Sequence, residues 1–178
     1  NLFMYYFLTG LLFFIFIILN IFSENKSIHN FMKYIFIIFR SSIVLLFIVH
    51  TLGLIARWYI SGHAPWGDAY ESMIYVAWAT MGIGLLFIKK SDLTLASTSF
   101  VTSMILMIAH WNWMDPSIAN LVPVLNSYWL MIHVSVIVGS YGPFALSMIL
   151  GFVSLLLIVF ITSTNKEKIK NQLSDLTM

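Results

Sequence analysis

Cysteine does not occur in the 178-residue chain. Its absence excludes disulfides, iron–sulfur clusters and thiolate nucleophiles within the chain, and any prosthetic group held here is held without a thioether bond. Charge is scarce as well. Asp, Glu, Lys and Arg make up 9% of the residues, against roughly 25% in soluble domains. The net charge of +2 is too small to point to nucleic acid, so the basic residues need another explanation. There is no initiating Met and no cleavable signal pattern. Asn1 opens directly into an apolar run, which reads as a piece of a longer polypeptide.

Hydrophobic and aromatic side chains are abundant, at 60% and 16%, with a mean hydropathy of +0.92. That composition predicts an integral membrane protein, and a membrane-spanning helix needs about 20 apolar residues. The expected fold is all-α: a polytopic helix bundle of about five transmembrane helices, the last one kinked. The spans run over residues 2–22, 34–60, 70–88, 93–109 and 128–161. The fourth is the shortest. The fifth is too long for one straight crossing of a ~30 Å core, and Gly139, Ser140, Gly142 and Pro143 interrupt it, so a kink is expected near Pro143. Glu24, Lys26, His29 and Lys33 read as a polar connection, and Lys89, Lys90 and Asp92 as a tight turn. Residues 1–165 then form one transmembrane domain, and residues 166–178 a charged cytoplasmic tail or linker.

Lysine and arginine indicate direction. Lys26, Lys33 and Arg40 fall together, as do Lys89 with Lys90 and Lys166, Lys168 with Lys170, while the loops at about 61–69 and 110–127 contain neither residue type. The positive-inside rule places those two loops, and the N-terminus, outside. Arg57 counts mildly against this. His63, His110 and His133 then lie on the outer side among Trp58, Trp66, Trp111, Trp113, Tyr128 and Trp129. Such an aromatic belt is ordinary interfacial anchoring and implies no cofactor on its own.

Polar groups in apolar spans are costly, so each needs a reason. Arg57 either anchors a helix end by snorkelling or binds a carboxylate on a cofactor with its planar fork. His50 either donates an interhelical hydrogen bond or serves as a buried ligand. Gly62, Pro65 and Gly67 shape the loop from Ser61 to Glu71. Asp68 caps the next helix, with Glu71 at the third position of a capping box. His133 stands at the outer end of the last apolar helix, with Trp129 four residues earlier on the same face. A histidine so placed can ligate the metal of a flat, greasy cofactor, of which heme is the obvious candidate.

Two segments carry more specific information. Arg57-Trp58, Ser61-Gly62-His63 and Pro65, then Tyr70-Glu71-Ser72 and Trp78, together with Val122-Pro123, Ser127, Trp129-Leu130 and His133-Val134, resemble two motifs of the CcsA family (also called ResC or CcsB) of System II cytochrome c biogenesis proteins. The resemblance covers about residues 40–160. It implies a protein that carries heme across the membrane and presents it on the outer face to apocytochrome c for thioether attachment, as a component of a cytochrome c synthase. It implies non-covalent heme b as the transported substrate, and His133 as one axial ligand to the heme iron. Trp129, Arg57 and His63 would be further cofactor-binding residues. The second external ligand and the tryptophan-rich WWD domain would follow beyond this chain, in the remainder of a larger heme-handling domain. The stretch His110-Trp111-Asn112-Trp113-Met114-Asp115 differs from that motif in spacing and reads as an interfacial loop.

The implied partners are apocytochrome c and a CcsB/ResB-type protein or fused domain, in a bacterial inner membrane with the heme site facing the periplasm, or in a plastid thylakoid membrane. The alternative from a different class is a transporter or channel subunit without a redox cofactor, in which His50, Arg57 and Glu71 line a polar path.

Overall fold

A computed structural model describes residues 1–22, 26–88, 91–111, 117 and 128–159. Five helices account for nearly all of them: α1 (Leu2–Phe22), α2 (Lys26–Ser61), α3 (Ala69–Leu86), α4 (Asp92–His110) and α5 (Tyr128–Val159). In hydrocarbon every backbone N–H and C=O must find a partner within its own segment, which makes long apolar runs helical. The apolar runs therefore mark the helices closely. α1 has the predicted ends. α2 begins eight residues before the predicted start at residue 34, because nothing between Lys26 and Lys33 breaks a helix. The expected polar connection is thus largely a first extension of α2. At ~1.5 Å per residue its 36 residues outrun a ~30 Å core.

Four helices contain stretches long and apolar enough to cross a membrane, at Leu2–Ile21, Phe31–Ser61, Asp92–His110 and Trp129–Leu156. α3 has 18 residues, or about 27 Å, and its first two turns are diluted by Tyr70, Glu71, Ser72 and Tyr75. The molecule is a membrane helical bundle. α5 continues through Pro143 as one 32-residue helix. The turn residues Lys89 and Lys90, the motif residues Val122, Pro123 and Ser127, and the tail 166–178 lie outside the described residues.

α4 is the central helix and packs mainly on α1 and α3. Its buried side chains are small and often hydroxylated: Ala96, Ser97, Thr98, Ser99, Thr102 and Ser103 among them. Most of the hydroxyls are satisfied locally or across the interface, although that of Ser97 is buried without a hydrogen bond among the described residues. Thr98 donates to the Thr94 carbonyl at 2.7 Å, and Ser99 donates to the Tyr6 carbonyl of α1 at 3.0 Å. Small residues on both sides let helix backbones approach closely where lipid supplies no hydrophobic drive for association. Gly10 of α1 meets Ser99, Gly84 of α3 meets Thr98, and Gly142 of α5 meets Thr80 of α3. α1 adds a buried face of Tyr6, Phe13, Ile17 and Ile21, stacked on α2 through Phe13 and Phe39 at 5.3 Å.

These contacts give the helices alternating directions. Phe3 at the start of α1 lies against His110 at the end of α4, with ring centroids 4.9 Å apart. Arg40 of α2 and Asp92 at the start of α4 form a two-point ion pair, Nε to Oδ1 at 2.7 Å and Nη2 to Oδ2 at 2.9 Å. Ser91 caps α4 there by accepting from the Thr94 N–H. The bundle thus has an Arg40 end and an Arg57 end, and α3 and α5 both start at the latter.

Candidate functional site

At the Arg57 end, α2 stops at Ser61 because Gly62 turns into the left-handed region, with φ 70°. Its N–H bonds the Trp58 carbonyl at 3.0 Å, a helix end that suits a residue without Cβ. Ala64 and Pro65 are buried beneath the loop. Asp68 caps α3 as the sequence predicts, its Oδ1 accepting from the Glu71 N–H at 2.6 Å. The Glu71 carboxylate does something else. It bonds the Gly67 N–H through Oε2 at 3.0 Å and Arg57 Nε through Oε1 at 2.9 Å.

Glu71 is 1% exposed and Arg57 14% exposed. A buried carboxylate is tolerable only when paired and hydrogen-bonded, and Glu71 is both. Arg57 also lies 3.9 Å from Asp68 Oδ2 and 5.0 Å from the Tyr70 ring centroid. His63 Nδ1 sits 3.2 Å from the Ala64 carbonyl and 3.7 Å from Glu71 Oε2. Arg57, His63, Asp68 and Glu71 therefore form one cluster that ties the loop to the ends of α2 and α3. From the sequence, Glu71 reads as a capping residue or, in the transporter alternative, as lining a polar path with Arg57, not as its ion-pair partner. The signal for the pair was the placement of both charges at the edge of neighbouring apolar spans.

An aromatic row descends from this loop. Trp58 and Trp66 have centroids 6.3 Å apart, Trp66 and Tyr75 5.0 Å, Tyr75 and Trp78 5.9 Å, and Trp78 and Phe47 5.7 Å. Trp78 Nε1 donates to Thr51 at 2.9 Å. The belt predicted from sequence is in part a packed row running along α3. Trp113 lies outside the described residues.

His133 and Trp129 occupy the first two turns of α5, and both are exposed. The packing of α5 on α3 sets their depth. Gly139 faces Tyr75 at 3.6 Å. Six residues toward the helix start, about 9 Å, leads from Gly139 to His133 on α5 and from Tyr75 to Ala69 on α3. His133 is thus level with the start of α3, at the end of the bundle that carries the Arg57–Glu71 cluster. It makes no hydrogen bond or ion pair among the described residues.

His50 is different. It lies seven residues before Arg57 on α2, is 3% exposed, and neither ring nitrogen makes a hydrogen bond. The expected interhelical hydrogen bond is at most weak: the Ile74 backbone of α3 lies near the ring, but without good hydrogen-bond geometry, and the Tyr6 ring of α1 is 6.1 Å away. It lines a cavity of about 510 Å³ that reaches Arg57, Tyr70 and His110. No group of three or more His, Cys, Asp or Glu among the described residues could hold a bare metal ion.

Residues 66–178 match the family described as cytochrome C assembly protein. The chain is 48% identical over 115 residues to Protein NrfI of Wolinella succinogenes, covering 65% of this chain and 13% of that protein. It is 30% identical over 166 residues to the cytochrome c biogenesis protein CcsA of Prochlorococcus marinus, covering 91% of this chain and 52% of that protein. With CcsA of Lotus japonicus the identity is 31% over 134 residues, covering 68% and 38%. The chain spans about half, or less, of the length of these curated relatives.

Proposed function

The chain belongs to the cytochrome c assembly family, and on that premise we propose that it is the part of a System II cytochrome c synthase that helps carry heme across the membrane and present it to apocytochrome c. Its role in cytochrome c biogenesis rests on the family. The finer reading rests on one observation: an exposed imidazole that makes no hydrogen bond among the described residues, His133, stands at the same end of the bundle as the charged loop.

Neutral imidazole is a standard axial ligand to heme iron, and among the described residues nothing bonded to His133 competes for that role. The fit is that of one axial ligand, with the second supplied by another part of the full-length protein. Heme here is cargo, non-covalent heme b. Trp129, one turn before His133, offers a flat apolar face to a porphyrin edge. Arg57 and His63 act at the rim by holding the loop in place, Arg57 through Glu71 and His63 beside the Ala64 carbonyl. In this reading the Arg57 end faces the periplasm, or the lumen of a thylakoid. Apocytochrome c and a CcsB/ResB-type partner or fused domain approach from there.

The transporter reading loses ground in one respect. Arg57 and Glu71 bind each other and so do not present free charge to a path.

The deciding experiment uses the full-length protein. His133→Gly should abolish most of the Soret absorption of purified material, and added imidazole should restore part of it. Unchanged bound heme in His133→Gly would remove His133 from the site and this reading with it.

A further inference from the structure

The cavity beside His50 is not explained by heme presentation at His133, and its chemistry is distinct. Its volume, about 510 Å³, falls in the ordinary range for small-molecule sites, roughly 300–1,000 Å³. At one end is His50, buried, with no well-formed hydrogen bond at either ring nitrogen and the Ile74 backbone of α3 close by. About 10 Å along α2, by seven residues of helical rise, are Arg57 and Tyr70, with His110 closing the same end from α4. The walls between are apolar, including Leu54, Ile74 and Leu106.

We propose that this cavity binds a neutral quinone or quinol ring taken from the membrane, with His50 as its hydrogen-bond partner. Three observations select that class. First, a buried polar group without a partner is costly, and a neutral imidazole offers one N–H donor and one nitrogen acceptor. A quinone carbonyl accepts from the first and a quinol hydroxyl donates to the second. A hydrocarbon tail would satisfy neither.

Second, the Arg57 guanidinium at the other end is already compensated. Arg57 binds Glu71 at 2.9 Å and has Asp68 at 3.9 Å. The two carboxylates do not line the cavity, but they offset the guanidinium's charge from behind, which favours a neutral ligand over a phospholipid or a fatty acid. Third, the cavity borders an exposed apolar side of α2. Val49 and Ile60 are 49% and 67% exposed, and a Cβ added at Gly53 would meet nothing within 4 Å. Gly53 leaves open space on that side, through which a ring from the membrane would enter. The inference concerns binding alone and goes beyond the heme reading without depending on it.

The probe is 2-methyl-1,4-naphthoquinone, titrated into purified full-length protein, with its azido derivative used to map the labelled residues. Saturable binding and labelling on α2 between residues 49 and 60 are expected. His50→Leu should weaken binding tenfold or more. Gly53→Phe has open space for its ring, so it should fill the cavity and abolish binding, with the melting temperature and the Soret band unchanged. His133→Gly should leave quinone binding intact, which separates this site from the heme site.

Binding that does not saturate, or that is equal in wild type, His50→Leu and Gly53→Phe, overturns the proposal and leaves a cleft filled by water or lipid. Loss of the Soret band in His50→Leu with no quinone binding in wild type overturns it in favour of a heme ligand.

Discussion

Arg57 and Glu71, fourteen residues apart on either side of a glycine-shaped loop, meet in an ion pair of 2.9 Å in which the carboxylate is almost wholly buried. The pair joins the end of α2 to the start of α3 at the level of His133. Removing one member of a buried pair strands the other's charge, at about 3–5 kcal/mol. Arg57→Ala is therefore expected to lower the melting temperature of the full-length protein strongly, and Glu71→Gln to do less harm because it leaves no buried anion. Equal melting of Arg57→Ala and wild type would show that the pair contributes little.

The Arg40–Asp92 pair should behave differently. It has two short contacts, but Arg40 is 37% exposed, and partly exposed pairs are worth about 1 kcal/mol or less. Asp92→Asn should shift the melting temperature by no more than a few degrees. A loss comparable to that of Arg57→Ala would mean that this end is drier than its exposure indicates.

Glycines in this bundle divide by what faces them. A Cβ at Gly84 would collide with Thr98 on α4, whereas one at Gly151 would meet nothing within 4 Å. Gly84→Leu should cost at least about 1–3 kcal/mol by overpacking and reduce the yield of monodisperse protein in size-exclusion chromatography. Gly151→Leu should give a normal elution profile. If both variants behave alike, α3 and α4 do not pack as closely as described.

Within the heme reading, Trp129 contributes packing and His133 contributes a bond. Trp129→Ala is expected to retain more heme than His133→Gly when Soret absorbance per protein is compared, and imidazole should not improve it. Equal heme loss in the two variants, or rescue of Trp129→Ala by imidazole, would contradict that division of roles.

Much of the fold was legible because hydrocarbon leaves the backbone few choices. Apolar runs gave helices with ends close to those observed, and Asp68 capped α3 as its position implied. The start of α2 was less legible, since Lys26 to Lys33 are polar yet contain no helix breaker. The fourth span, the shortest, gave no sign of being central. Its serines and threonines weaken it as an apolar run, but they are small and bond nearby carbonyls, so two neighbours can pack closely against it. In the candidate site, His133 was singled out by its position and by motif, and Glu71 by capping and motif but not as the partner of Arg57.

The number of helices, their membrane setting and the family follow from the sequence by itself, because apolar length, charge placement and short motifs are local properties. Tertiary structure decided which charges neutralise each other and which imidazoles stay without partners. Arg40 meets Asp92 across 52 positions, His50 makes no well-formed hydrogen bond among the described residues, and His133 remains exposed. These outcomes depend on which helices are neighbours and at what depth, and that register is set by close contacts such as Gly84 on Thr98 and Gly142 on Thr80, which a single helix does not encode.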